Sequence, residues 1–509
     1  MKIKSVTLRN FRSYNEEVKI DIGDLTAFVG KNDIGKSSIL EALDIFFNEN
    51  KGVIKIDKDD VNKSSLAENN NEIVITVEFE ELPNTIVIDS TNETTLQNEY
   101  LLNRDGNLEI IKKYPNAGKE KVFVKAFHPN NTECSDLLKK TNTELRAIIS
   151  RASIECENRT INAVMRTAIW NHNRDSLKLE SIEIDVTKGD TKSIWDKLQE
   201  YLPLYSLFQS DRKNSDGDSE VQDPLQEAVK QILSNAELKT LLNRVASDVE
   251  TKLREVASST LEKLNELNPE IANSLNPIIP TSENLKWLDV FKKVSIASDD
   301  DIPINKRGSG IKRLILLSFF RAEAERRRTE RNSPSIIYAI EEPETSQHTE
   351  HQKKLMAALL TLSQTANTQI LLTTHSAVAV KELRFDHIRL IKQKGTNKIV
   401  EQVNPNQLPY PSLNEVNFLA FNEVSEEYHN ELYGFIEAEG WLNAYKIGKP
   451  TMNYNRSLRD GSTILEGKIL TEFIRHQIHH PENTNNARFT NEQLYQSINL
   501  MRNFIETQP

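Results

Sequence analysis

Residues 25–47 read LTAFVGKNDIGKSSILEALDIFF, and this stretch decides the fold. Leu25 to Val29 is an unbroken apolar run of the length of a buried strand. It ends at Gly30, and Gly30, Gly35, Lys36 and Ser37 then complete the spacing GxxxxGKS. Ile39, Leu40, Leu43, Ile45 and Phe46 follow at helical spacing. Strand, glycine-rich loop and helix, in that order, form the context in which this spacing holds phosphate. The glycines let backbone N–H groups converge on phosphate oxygens, and the new helix turns its positive end toward them. Gly30, Asn32, Gly35, Lys36, Ser37 and Ser38 are the candidate cradle. Lys36 is expected to reach the outer phosphates of a nucleoside triphosphate and Ser37 to ligate Mg2+. A purely structural strand–helix turn is the competing reading, but it gives lysine and serine no reason to follow those glycines.

The rest of such a site is expected far downstream. Ile336 to Ile340 (IIYAI) is another apolar strand, followed at once by Glu341, Glu342, Pro343 and Glu344. A carboxylate at the end of a core strand suits a Mg2+ shell, and its neighbour can orient and deprotonate water. Glu341 is therefore assigned to the metal and Glu342 to general base. An acidic loop after a strand is common by itself; its place after a P-loop gives it this meaning. Gln369 to Thr374 (QILLTT) is a third buried strand and ends at His375, which can donate to a γ-phosphate. Between these parts, Gly308, Ser309 and Gly310 open a long helical stretch, a second glycine-rich helix start able to face an anion. One triphosphate does not need two such starts in one chain. A second copy can supply this one across a dimer.

The bulk numbers set the frame. The chain has 509 residues, more than one hydrophobic core usually supports, so several domains or a large insertion are expected. The net charge of −11 argues against a surface that wraps nucleic acid throughout, though a local basic groove remains open. Cys134 and Cys156 form no CxxC pair, which disfavours a cysteine zinc site, and reduced thiols are expected. The N-terminus alternates like a strand and lacks the apolar core of a secretory signal. No apolar run is long enough to span a bilayer, so a cytoplasmic protein without membrane partners is expected.

The pattern predicts four spans: an N-terminal lobe at 1–135, a largely helical insertion or short arm at 136–290, a C-terminal lobe at 291–404 and a helical C-terminal domain at 405–509. Residues 72–82 and 121–127 are strand-like and predict an antiparallel sheet in the first lobe. One further strand is expected at 181–186, and residues 387–403 read as a hairpin. Residues 224–275 carry apolar positions at helical spacing and predict a helix pair, too short for long coiled-coil arms. Near the end, FIRHQIHHPEN (473–483) places Arg475 and His480 in the pattern RxxxxH. The alternative for this cluster is a helix terminus with basic groups at its negative end.

Taken in order, these pieces resemble an ABC-type ATPase head of the SMC and DNA-repair kind, with Glu341 where many relatives carry aspartate. That variant is similar to heads of the overcoming-lysogenization-defect ATPases. The resemblance implies an α/β fold with a mixed P-loop sheet, a helical insertion and a mostly helical C-terminal domain. It implies ATP and Mg2+ as cofactors, and homo-oligomers that close over ATP. It also implies a nucleotide-proximal segment at Asn10 to Ser13, with Arg12 among the nucleotide-binding residues. Gly308 to Gly310 stand loosely in place of the signature, and residues 344–348 stand at the D-loop. Gln209 is a candidate for the Q-loop. Three functions follow, in this order. The first is the ATPase subunit of an anti-phage system similar to Septu or retron-linked ones, controlling a separate nuclease. The second is an ATP-gated ribonuclease using Arg475 and His480, which resemble a HEPN motif. The third is a DNA-repair ATPase that clamps DNA, with nucleic acid as a possible partner.

Overall fold

The computed structural model describes residues 1–49, 52–88, 92–187, 191–209, 229, 232–267, 322, 335–345, 348–395, 397–403, 412–458 and 462–508. Two six-stranded sheets organise the head. The first is antiparallel throughout, in the order β2-β1-β4-β5-β6-β7. Its strands are β1 (Lys2–Arg9), β2 (Val18–Asp21), β4 (Glu72–Glu80), β5 (Leu108–Pro115), β6 (Lys121–Pro129) and β7 (Leu179–Asp185). The second has the order β12-β11-β3-β10-β9-β8, parallel from β11 to β8. It comprises β3 (Leu25–Val29), β8 (Leu204–Phe208), β9 (Ile336–Glu341), β10 (Thr368–Thr374), β11 (Ile388–Lys394) and β12 (Asn397–Gln402).

The central strands of the second sheet are buried on both faces, which is why they read as unbroken apolar runs. Their alternate side chains feed two cores. Phe28, Ile337 and Leu371 point toward the first sheet and meet Ile39, Leu40, Leu43 and Phe46 of the P-loop helix, Lys36–Asn48. Leu25, Ala27, Val29, Tyr338, Ile340 and Leu372 point the other way, onto helix Thr349–Ser363. The P-loop helix therefore lies between the sheets with its apolar face covered, each buried side chain stabilising the layer by about 1.5–3 kcal/mol. Gln369 ties the sheets at one end: it accepts from Ile3 N at 2.7 Å and donates to Ile3 O at 2.8 Å.

The α/β class and the strands expected around residues 25, 75, 124, 183, 338, 371 and 395 are found. Within the described part of 224–275, residues 229, 232 and 233 are helical and are followed, after a turn at Ser234, by the long helix Ala236–Leu267. Two features differ. The span assigned to the insertion contributes β7 and β8 to the two head sheets, so its first part is woven into the head. The C-terminal region adds to its helices a hairpin of β13 (Thr451–Ser457) and β14 (Thr463–Ile469). These two strands are largely polar, with Tyr454 and Ile469 buried in a core and Met452 partly buried against it, so no apolar alternation announces them.

That third core gathers Tyr428, Leu432, Ile436, Tyr445, Phe473, Ile474, Ile498 and Met501 from helices Glu426–Ala438, Leu442–Lys446, Leu470–His479 and Asn491–Glu506. Helix Leu413–Phe421 joins it to the head, with Val416 and Ala420 in the second core and Phe418 in the third. Its buried Glu415 accepts a two-pronged bond from Arg502, at 2.6 and 3.0 Å. Among the described residues, no helix is long and apolar enough to cross a membrane. Cys134 and Cys156 are free thiols.

Candidate functional site

The P-loop is shaped by one glycine above all. Gly35 precedes the helix with φ of 101°, a conformation that only glycine takes without strain. A Cβ there would lie 2.5 Å from Ser13 Oγ. Tyr14 donates its hydroxyl to Gly35 O at 3.0 Å, so the segment after β1 buttresses the loop from outside. Lys36 Nζ donates to the carbonyls of Gly30 and Lys31 at 2.9 and 2.8 Å, which folds the ammonium back across the loop. Burial lowers the Lys36 pKa, against the opposing pull of Glu342, Glu344 and Asp33. Asn32 is exposed on the loop, and Ser38 is buried in the first helical turn.

β3, β10 and β9 run side by side in parallel, so their carboxyl ends open together onto this loop. That is where open α/β sheets place ligands. Glu341 ends β9 opposite Thr373 of β10. The chain then turns sharply: Glu342 has φ of 40°, and its N–H donates to both Thr373 O and Thr373 Oγ1 at 3.1 Å. A non-glycine residue in this region is held there by its surroundings, and such residues cluster at working sites.

Beside the turn lies a cleft of about 580 Å³, bordered by Arg12, Ser37, Glu41, Gln209, Glu341 and Glu342. Ser37 and Gln209 hydrogen-bond the Glu341 carboxylate. Its Oε1 is buried and has no hydrogen-bond partner among the described residues. Burial, then the charge of Glu41, pushes Glu341 up to about 7. An under-satisfied buried carboxylate beside a serine hydroxyl is the donor set a hard divalent cation takes, so Ser37 and Glu341 fit Mg2+. His375 completes the cluster, with Nδ1 3.0 Å from Glu342 Oε1 and 3.8 Å from Glu344 Oε1.

A family model described as AAA ATPase domain, AAA_15, matches residues 1–380. The chain belongs to this AAA ATPase domain family. Solved structures similar to it include three SMC heads. One is a head bound to the C-winged helix domain of ScpA, with 14% identity, TM-score 0.37, and coverage of 79% of this chain and 98% of that one. Another is the SMC head domain from Thermotoga maritima, with 13% identity, TM-score 0.33, and coverage of 79% and 100%. The third is an Smc head with an extended coiled coil bound to the C-terminal domain of ScpA, derived from Pyrococcus furiosus. It has 14% identity, TM-score 0.35, and coverage of 80% and 97%. No curated protein matches.

The match in this AAA ATPase domain member spans every residue of the cleft. Other expected residues fall elsewhere. Gly308, Ser309 and Gly310 lie outside the described residues. Asn10 does not face the cleft: its amide donates to Asn70 O and Glu72 O and its Oδ1 accepts from Asn62 N. Arg12 does reach the cleft, where it pairs with Glu41 and, at 2.7 Å, with Asp60. Gln209 follows β8, next to the strand of Glu341, and donates to Glu41 Oε1 at 3.2 Å. Glu41 is the residue that sequence reading missed. It sits four positions after Ser37, and that helical spacing puts both on one face.

Arg475 and His480 engage different partners. Arg475 packs over the Tyr433 ring at 4.0 Å and pairs with Glu437 at 3.3 Å. His480 caps its helix, stacks beside His476 and faces Glu482 at 3.2 Å.

Proposed function

We propose that the chain binds ATP with Mg2+ and hydrolyses it in the cleft between the P-loop and the acidic turn. The observation that carries this reading is the convergence of Ser37, Glu341, Glu342 and His375 at the carboxyl ends of parallel strands, with Lys36 folded over the loop beside them. Gly30 to Ser38 hold the triphosphate through backbone N–H groups and the helix terminus. Ser37 and Glu341 hold Mg2+, which when bound neutralises charge on the phosphate oxygens. Lys36 exchanges its carbonyl partners for phosphate oxygens. Glu342 accepts the proton of the attacking water, and its turn fixes the carboxylate where it is needed. His375 sits against Glu342 and donates toward the terminal phosphate.

At the level of the assembly, Gly308 to Gly310 of a second copy close over the nucleotide, so that ATP controls pairing and hydrolysis releases it. The resemblance of the motif order to anti-phage ATPases supports a role in controlling a partner nuclease in defence. A separate nuclease is preferred to one within this chain because Arg475 and His480 engage different partners. Sedimentation of Glu342→Gln with and without ATP tests the assembly. An ATP-dependent rise in mass is expected, and an unchanged mass refutes it. Copurification of the native complex should recover a nuclease; a chain recovered alone from cells that are resistant to phage would overturn that part.

A further inference from the structure

Glu344 stands behind the site and is not explained by it. Its side chain is 4% exposed. Oε1 accepts the Thr374 hydroxyl at 2.6 Å and the His375 backbone N–H at 3.0 Å. Oε2 is buried without a hydrogen-bond partner among the described residues. Among those residues its one ion-pair contact is His375 itself, 3.8 Å away. A carboxylate so placed is costly to bury, and an apolar residue would fill the position at lower cost. What the carboxylate provides is a clamp. One oxygen holds both the last residue of β10 and the residue after it to the loop that follows β9. The neighbouring bonds point the same way: Thr345 Oγ1 reaches Glu342 Oε2 at 3.4 Å, and Ser376 donates to Gln352 Oε1 at 2.9 Å.

We infer that Glu344 is a positioning residue for hydrolysis, which fixes the end of β10 so that the His375 imidazole stands against Glu342. This rests on the assignment of Glu342 and His375 to the hydrolytic site. Without the clamp, the His375 backbone loses its tether and the imidazole its fixed distance from Glu342, whereas the P-loop, anchored through Tyr14 and Gly35, stays as it is. The expected signature is a loss in turnover with substrate affinity kept.

The test is steady-state hydrolysis of MgATP by the full chain carrying Glu344→Ala, Glu344→Gln, Glu344→Asp, His375→Ala, the Glu344→Ala/His375→Ala pair and, in parallel, Glu342→Gln. Glu344→Ala should lower kcat on the order of 10- to 100-fold, the scale of a displaced catalytic group, with KM changed by less than about threefold. Glu344→Gln keeps an acceptor oxygen in place and should recover most of that loss. The double variant should turn over like His375→Ala alone, because Glu344 acts through that residue. If Glu344→Ala does not fold, Glu344→Asp replaces it in the same cycle, its carboxylate withdrawn by one methylene. Losses that multiply in the double variant would overturn the inference. So would wild-type turnover in Glu344→Ala while Glu342→Gln is inactive. Wild-type turnover in Glu342→Gln would instead refute the hydrolytic site on which the inference depends.

Discussion

Replacing Glu341 by glutamine should make the nucleotide-free protein more stable, and only at neutral and alkaline pH. Burial, and then the nearby Glu41, raises the Glu341 carboxyl from 4.5 to about 7. The folded chain thus holds this proton more tightly than the unfolded chain does. Below about pH 4.5 both states are protonated and the residue costs nothing. As pH rises toward 7 the unfolded state gives up its proton first, so stability falls across that window. Above it the full penalty applies. At 1.36 kcal/mol per pKa unit this amounts to about 3 kcal/mol, an upper bound because water in the cleft screens part of it. Glutamine keeps the shape and the bonds from Ser37 and Gln209 and carries no charge. Calorimetric melting in EDTA at pH 5 and pH 8 reads the effect. Glu341→Gln should melt well above wild type at pH 8 and close to it at pH 5. Addition of MgATP should raise the wild-type midpoint and move the variant little, since the carboxylate that costs stability is the one that takes the metal. Equal melting at pH 8, or the same gain at both pH values, would refute the electrostatic reasoning.

Other outcomes follow from the same geometry. Lys36→Ala should weaken ATP binding on the order of 100-fold, the worth of a strong charge-assisted bond; calorimetric titration checks it, and retained affinity removes Lys36 from the site. Gly35→Ala forces a Cβ toward Ser13 at a φ of 101° and should cost about 1–3 kcal/mol as well as ATP binding, read by melting and by titration together. Arg502→Ala leaves Glu415 buried and unpaired and should destabilise the C-terminal unit by about 3–5 kcal/mol. Hydrogen exchange should show faster opening of helices Leu413–Phe421 and Asn491–Glu506 while the P-loop helix keeps its protection.

What could be read from the sequence follows the physics of each part. The P-loop and the acidic strand are contiguous, so their motifs carry their own context: Ser37, Glu341 and Glu342 border one cleft, and His375 stands against Glu342. The parallel strands were legible because burial on both faces demands unbroken apolar runs. Glu41 was missed because an acid on a helix face has no meaning until the facing element is known. The role of Glu344 was hidden because its partners are a hydroxyl and a backbone N–H on another strand. β8 and the hairpin of β13 and β14 escaped because short or polar strands gain their stability from pairing, which is not local in sequence. The RxxxxH pattern shows the converse: a motif can be present in sequence while its two residues are turned to different neighbours.

The most direct test of the hydrolytic site is ATP binding and turnover measured side by side in Glu342→Gln. The mutant should bind MgATP with wild-type affinity while its turnover falls by about 100-fold or more, the usual contribution of a general base. Unchanged turnover would contradict the assignment of Glu342, and with it the account of the cleft as the place where ATP is cleaved.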